Sequence, residues 1–181
     1  MIRSIHSTTS FPTRVNGAIM LVMNNLSHVP KLIFAIIICE LAGLAGSFFT
    51  TPAIDTWYAT LARPDFSPPS WIFGPVWTAL FALMGIALFF VWKSNADKKS
   101  KKTAIQVFSA QLLLNVMWSI MFFGLQSPRG ALVEILSLWL IIVATMIAFF
   151  KISRHTVYLL IPYILWVSFA AYLNYSIWIL N

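Results

Sequence analysis

Charge is what this sequence has least of. Only 9% of its 181 residues are Asp, Glu, Lys or Arg, while 60% are hydrophobic. Soluble domains carry about 25% charged residues. That balance excludes an ordinary soluble domain and leaves an integral membrane protein, of a size for one bundle of spanning helices. Acid is scarcer still, with no acidic residue before Glu40. Cysteine occurs once, at Cys39, which excludes an intrachain disulfide framework and a Cys-rich metal site. There is no GxSxG, HExxH or Gly-rich phosphate loop, and no Ser–His–Asp set is suggested. His155 lies in a basic stretch without companions for a metal. The net charge of +7 does not point to nucleic acid, because no compact RNA or DNA module is visible. In so apolar a chain, Lys and Arg sit in loops and set orientation. No metal, no required cofactor and no nucleic-acid partner is expected; membrane lipid is.

What the sequence does have is long apolar runs, and the spacing predicts five spans. They cover about Leu32–Thr51 (ending at Pro52), Trp71–Trp92, Thr103–Leu125, Ala131–Phe150 and Thr156–Leu180. A spanning helix needs about 20 apolar residues. The fold expected is therefore an all-α membrane bundle of five transmembrane helices, with a long loop, residues 52–70, between helices 1 and 2. Residues 1–30 form a separate tail, disordered or targeting, and residues 31–181 the membrane domain. The tail resembles a transit peptide only in its Arg, Ser and Thr content; a later start at Met20 or Met23 reads equally well. Ser70, after Pro68 and Pro69, is placed to cap the second helix at Trp71. Lys93–Lys102 reads as a basic loop, Gln126–Gly130 as a tight turn, and Pro162 falls within the first turns of the last helix. Five spans put Arg3, Arg14, Lys31, the five lysines of the basic loop, Lys151 and Arg154 on one side. Only Arg63 and Arg129 are left for the other. In a bacterial inner membrane this places the amino terminus in the cytoplasm and the carboxyl terminus outside.

Three helices carry a polar or aromatic face. Trp77 and Phe81 lie four residues apart on the second. Gln111, Asn115, Trp118 and Phe122 share a face of the third, as do Tyr163, Trp166, Ala170 and Asn174 on the fifth. Amides facing lipid would go unpaired, so these faces, and Gln106 with them, are expected to point inward. For Gln106 and Gln111 the reading is hydrogen bonding between helices. Bundle seams favour small residues, so Trp77, Phe81, Trp118 and Trp166 aimed at one interior predict a cavity for a flat, apolar ligand. The small residues Ala42, Gly43, Gly46 and Ser47 predict close helix packing, within the bundle or across a dimer. Glu40 is either a functional intramembrane carboxylate or one hydrogen-bonded in the bundle. Glu134 is expected near Arg129 or the interface. Trp57, Tyr58 and Phe66 give the long loop apolar surface to fold over the mouth of the cavity as a lid.

The motifs also carry a resemblance. Trp71-Ile72-Phe73-Gly74-Pro75-Val76-Trp77 preceded by Pro68-Pro69, Asn115-Val116-Met117-Trp118 with Phe122-Phe123-Gly124, and Pro162-Tyr163-Ile164-Leu165-Trp166 with Phe169-Ala170 and Leu173-Asn174-Tyr175 resemble the TspO/MBR family of tryptophan-rich sensory and translocator proteins. The resemblance covers about Ile33 to Trp178. It implies a five-helix protein, often a homodimer, of a bacterial or an outer mitochondrial membrane; of the two, the bacterial cell membrane is the one expected here. It also implies a receptor, sensor or carrier binding porphyrin or haem-like tetrapyrroles at Trp77, Phe81, Asn115, Trp118, Trp166 and Ala170. The rival it implies is an enzyme degrading protoporphyrin with light and oxygen, in which Trp77 and Trp166 would be catalytic. A further alternative is a regulatory membrane protein binding sterol or another lipid. The sequence departs from the animal sterol motif: Leu173 and Tyr175 are present, but no Lys or Arg follows before Asn181. The reversed pattern Arg154, Tyr158, Leu160 is present.

Overall fold

A computed structural model describes residues 13–181, with side chains from His28 onward; the expectation for the first twelve residues lies outside the described region. The chain forms α1 (Thr13–Ile54), a short α2 (Trp57–Thr60), a 3-10 turn (Ser70–Ile72) leading into α3 (Phe73–Lys93), α4 (Lys98–Ser119) continued by a π turn (Ile120–Gly124), α5 (Pro128–Ile152) and α6 (His155–Leu180). Five segments are long and apolar enough to cross a membrane: His28–Ile54, Ser70–Lys93, Lys98–Gly124, Pro128–Ile152 and His155–Leu180. Helices are the form such a chain can take, because each satisfies its own backbone polar groups where no water can. Around the bundle the neighbours run α1–α3–α6–α5–α4 and back to α1.

Several boundaries differ from the sequence reading. The first helix does not stop at Pro52 but carries both Pro30 and Pro52 inside it. Pro52 forfeits only the bond to the Phe48 carbonyl, close to the helix end. Ser70 makes no capping bond. It is already the first residue of the 3-10 turn, whose Ile72 N–H donates to the Pro69 carbonyl at 3.1 Å. Most of the expected basic loop is helix. Asp97 caps α4 by accepting from the Ser100 N–H at 2.9 Å, which puts Lys98, Lys99, Lys101 and Lys102 on its first turns. Those bonds hold the exposed Asp97 carboxyl below its ordinary pKa. The cap is therefore complete at neutral pH and lost as pH falls through that lowered value. Lys101 folds back to donate to the Trp92 and Ser94 carbonyls at the end of α3, where a cation suits the helix dipole. Gln106 is exposed rather than inward. It stands five residues from Gln111, about 140° round the helix.

The turn before α5 holds Gln126 at φ 50°, the one non-glycine residue with positive φ among those described. Ser127 then caps α5, its Oγ accepting from the Gly130 N–H at 3.3 Å, with Pro128 in the first turn. Proline there loses no helical bond.

The core is closed by small residues where backbones meet. A Cβ on Gly85 would lie 2.5 Å from the Ile36 Cα and 2.9 Å from its N, so α3 touches the α1 backbone directly. A Cβ on Gly43 would meet the Phe81 ring at 2.6 Å, and one on Gly46 the Ser119 Oγ at 2.9 Å. The small-residue patch of α1 therefore packs inside the bundle at both glycines. Gly74, by contrast, has nothing within 4 Å. Gly85→Ala should destabilise by roughly 1–3 kcal/mol, as overpacking against backbone that cannot yield. Gly74→Ala should leave stability unchanged or raise it slightly. Thermal unfolding in detergent followed by circular dichroism separates the two; equal melting temperatures would refute the close α1–α3 contact.

Candidate functional site

The faces predicted for three helices converge on one cavity in the half of the bundle nearest the 52–70 loop. α3 supplies Phe73, Gly74, Trp77, Thr78 and Phe81. α4 and its π turn supply Asn115, Trp118, Ser119, Phe122 and Phe123, and α6 supplies Ala170, Leu173, Asn174 and Ile177. α1 closes the ring with Glu40, Gly43, Ser47, Thr50 and Ile54 among others. The cavity holds about 260 Å³, near the lower edge of the ~300–1,000 Å³ usual for small-molecule pockets. Leu44, Ser47 and Thr51 of α1 and Gly74 and Thr78 of α3 line it yet are exposed. It therefore opens sideways between α1 and α3, toward lipid.

The opposite wall is fixed by hydrogen bonds. Trp118 Nε1–H donates to Asn174 Oδ1 at 3.1 Å, and Asn174 Nδ2–H donates to the Pro128 carbonyl at 2.7 Å. One amide thereby ties α4 and α6 to the start of α5. Asn115 Nδ2–H donates to the Tyr163 hydroxyl at 3.1 Å. One turn further in, Gln111 is wholly buried and donates to Met84 Sδ at 3.3 Å; it bridges helices and does not line the cavity. Aromatic contacts complete the wall: Trp77 lies 5.6 Å from Phe81 and 6.3 Å edge-on from Tyr163, and Trp118 stacks on Phe122 at 5.3 Å.

Of the residues singled out in sequence, Trp77, Phe81, Asn115, Trp118 and Ala170 line this cavity and Trp166 does not. Trp166 stands behind Phe73, 5.9 Å away edge-on, and 5.5 Å from Phe169. It lies four residues before Ala170 and packs against Phe73, which does line the cavity. Glu134 does not pair with Arg129. It is 6% exposed, with neither carboxylate oxygen hydrogen-bonded. Arg129 is exposed on another side of α5, five residues and about 140° away.

The loop covers the outer end of the cavity. Trp57 lies 5.5 Å from Phe122 and Tyr58 5.7 Å from Phe123. Both phenylalanines are on the π turn, where the Leu125 N–H donates to the Ile120 carbonyl at 2.7 Å. Such a turn changes which neighbouring side chains share a face. Nothing in sequence periodicity announces it, and Phe123 is a lining residue that a regular-helix reading misses. Arg63 lies 5.2 Å over the Tyr58 ring. Burial raises the Tyr58 pKa, partly opposed by that guanidinium, so the phenol stays neutral at physiological pH. Asn181 clamps the loop from the far end of the chain. It accepts from the Ala62 N–H and donates to the Ala62 carbonyl, each at 3.0 Å. Phe66 stacks on Tyr172 at 5.1 Å, outside the cavity.

Five apolar helices around an aromatic, laterally open cavity define a multi-pass membrane protein with an intramembrane pocket. Residues 35–179 match the TspO/MBR family. The chain is 46% identical over 154 residues to the Tryptophan-rich protein TspO of Chlorobaculum tepidum, covering 85% of this chain and 98% of that one. It is 35% identical over 139 residues to the Tryptophan-rich sensory protein of Cereibacter sphaeroides, covering 75% and 85%. It is 34% identical over 140 residues to the Translocator protein of Bos taurus, covering 77% and 83%. The chain belongs to the TspO/MBR family.

The Trp118–Asn174–Pro128 tie is open to a direct check. Asn174→Leu strands a buried indole N–H and a carbonyl and should cost roughly 1–3 kcal/mol. The more exposed Asn181→Ala should cost less while freeing the loop to faster hydrogen exchange. Thermal unfolding and amide exchange measure the two effects.

Proposed function

We propose that this protein binds a porphyrin or related tetrapyrrole in the cavity, as a receptor, sensor or carrier. The observation that carries the reading is the lining itself: Trp77, Phe81, Trp118 and Phe122 surround one space, with a few polar groups between them. Flat apolar ligands are held by such walls, and each stacked aromatic is worth about 1 kcal/mol beyond area burial. With only about 260 Å³ inside, a tetrapyrrole would enter edge-on and extend through the opening between α1 and α3. The names of two relatives, sensory protein and translocator protein, accord with the reading. The reversed sterol pattern receives less support, since Leu160 is buried while Arg154 and Tyr158 are exposed.

Light- and oxygen-dependent porphyrin breakdown is the competing activity. It would place Trp77 at the ligand, whereas Trp166 is not among the cavity-lining residues. Titration of protein fluorescence with protoporphyrin, in darkness and then in light, distinguishes the two: quenching alone supports binding, and a new chromophore supports breakdown. Ala170 is 7% exposed on the cavity wall. Ala170→Leu should weaken binding at least tenfold without unfolding the bundle, and Trp166→Phe should weaken it by less than about twofold. These follow from filling the site in one case and altering a residue behind it in the other. Unchanged affinity of Ala170→Leu would place the ligand elsewhere.

The same proposal places the protein in a bacterial cell membrane as a homodimer, with the amino terminus cytoplasmic and the carboxyl terminus outside. Ten of the twelve Lys and Arg then face the cytoplasm, as the positive-inside rule requires. Reporter fusions at the two ends should give opposite readings; matching readings would refute the orientation.

A further inference from the structure

Among the residues lining the cavity, Glu40 is the one whose side chain is ordinarily charged at neutral pH. It stands at the inner end. Along α1, Glu40 lies about 21 Å of helix rise below Ile54, the outermost α1 lining residue. It is only partly buried and lines the cavity. Several polar groups of the lining already have a donor engaged. Trp118 gives its indole N–H to Asn174, and Asn174 gives an amide N–H to Pro128. Asn115 gives an amide N–H to Tyr163, and the Ser47 and Thr50 hydroxyls donate to the Leu44 and Gly46 carbonyls. The Asn115 carbonyl oxygen is left for a ligand. The charged residues of the 52–70 loop are Asp55, Arg63 and Asp65, all exposed. Water and salt screen them, while a charge at membrane depth acts at lower dielectric.

We propose that Glu40 makes the inner end of the cavity select a cationic or N–H-donor group on a flat apolar ligand. A ligand that also carries acidic groups is held with those groups turned to the mouth. This rests on the cavity being a ligand site, and it adds an end-to-end polarity that an aromatic lining alone lacks. For a tetrapyrrole with acidic side chains it fixes which edge leads.

Three probes that differ in one substituent test it: 1-pyrenemethylamine, 1-methylpyrene and 1-pyrenecarboxylic acid. Each is titrated into the full-length protein in phosphatidylcholine nanodiscs and read by energy transfer from tryptophan to pyrene. Wild type should bind the amine at least about tenfold more tightly than the acid, with methylpyrene between them. Glu40→Gln should bring amine and acid within about threefold; Glu40→Asp should keep the order. Partitioning into lipid is common to all variants and cancels in their ratios. No amine preference in wild type, or the same preference in Glu40→Gln, overturns the proposal. Failure of methylpyrene to bind, or binding indifferent to Ala170→Leu, overturns instead the cavity reading beneath it, and the proposal falls with it.

Discussion

The bundle depends on one backbone contact. At Gly85, α3 meets α1 so closely that a single added carbon would lie 2.5 Å from the Ile36 Cα. Lipid supplies no hydrophobic drive for helices to associate, so close packing must hold them together. Three turns along α3, at Gly74, nothing stands within 4 Å. The two helices are thus pinned at one end and parted at the other. Phe81, pressed on Gly43, and Trp77 beyond it occupy the transition. The cavity is the space that this parting leaves.

Its walls differ in kind. The α4–α5–α6 side is joined by oriented hydrogen bonds through Asn174, Trp118, Asn115 and Tyr163. No side-chain hydrogen bond joins α1 to α3 among the described residues, and the cavity-lining part of that seam is exposed. Amide bonds inside a membrane protein are worth about 1 kcal/mol each. That is enough to favour one geometry on the bonded side and leaves the α1–α3 side freer to accommodate a ligand.

Much of this was legible in the sequence, for identifiable reasons. Five apolar runs separated by Pro, Lys and Gly give five helices. Spacings of three and four put Trp77 with Phe81, and Asn115 with Trp118, on shared faces. Helix ends were less legible. Pro52 reads as a stop but sits within α1, and the lysines after Asp97 read as loop but extend α4 once Asp97 caps it. Spacing on one helix also cannot show what a neighbouring helix inserts. Trp166 is four residues from Ala170, yet it packs against Phe73 and does not line the cavity. The π turn is the other hidden element. It depends on a tertiary environment in which Phe122 and Phe123 both meet α2, and hydrophobic periodicity does not encode that.

The loop reading shows how a local pattern becomes a tertiary device. Trp57 and Tyr58 are two adjacent aromatics in a stretch with little periodicity, and alone they would gain little from a helix four residues long. Docked on Phe122 and Phe123 they close one end of the cavity, and Asn181 clasps Ala62 from 119 residues away. The outer end is therefore held by side-chain stacking and two backbone bonds, while the membrane-facing side has no comparable fastening. The opening between α1 and α3 leads to Trp77 without passing α2.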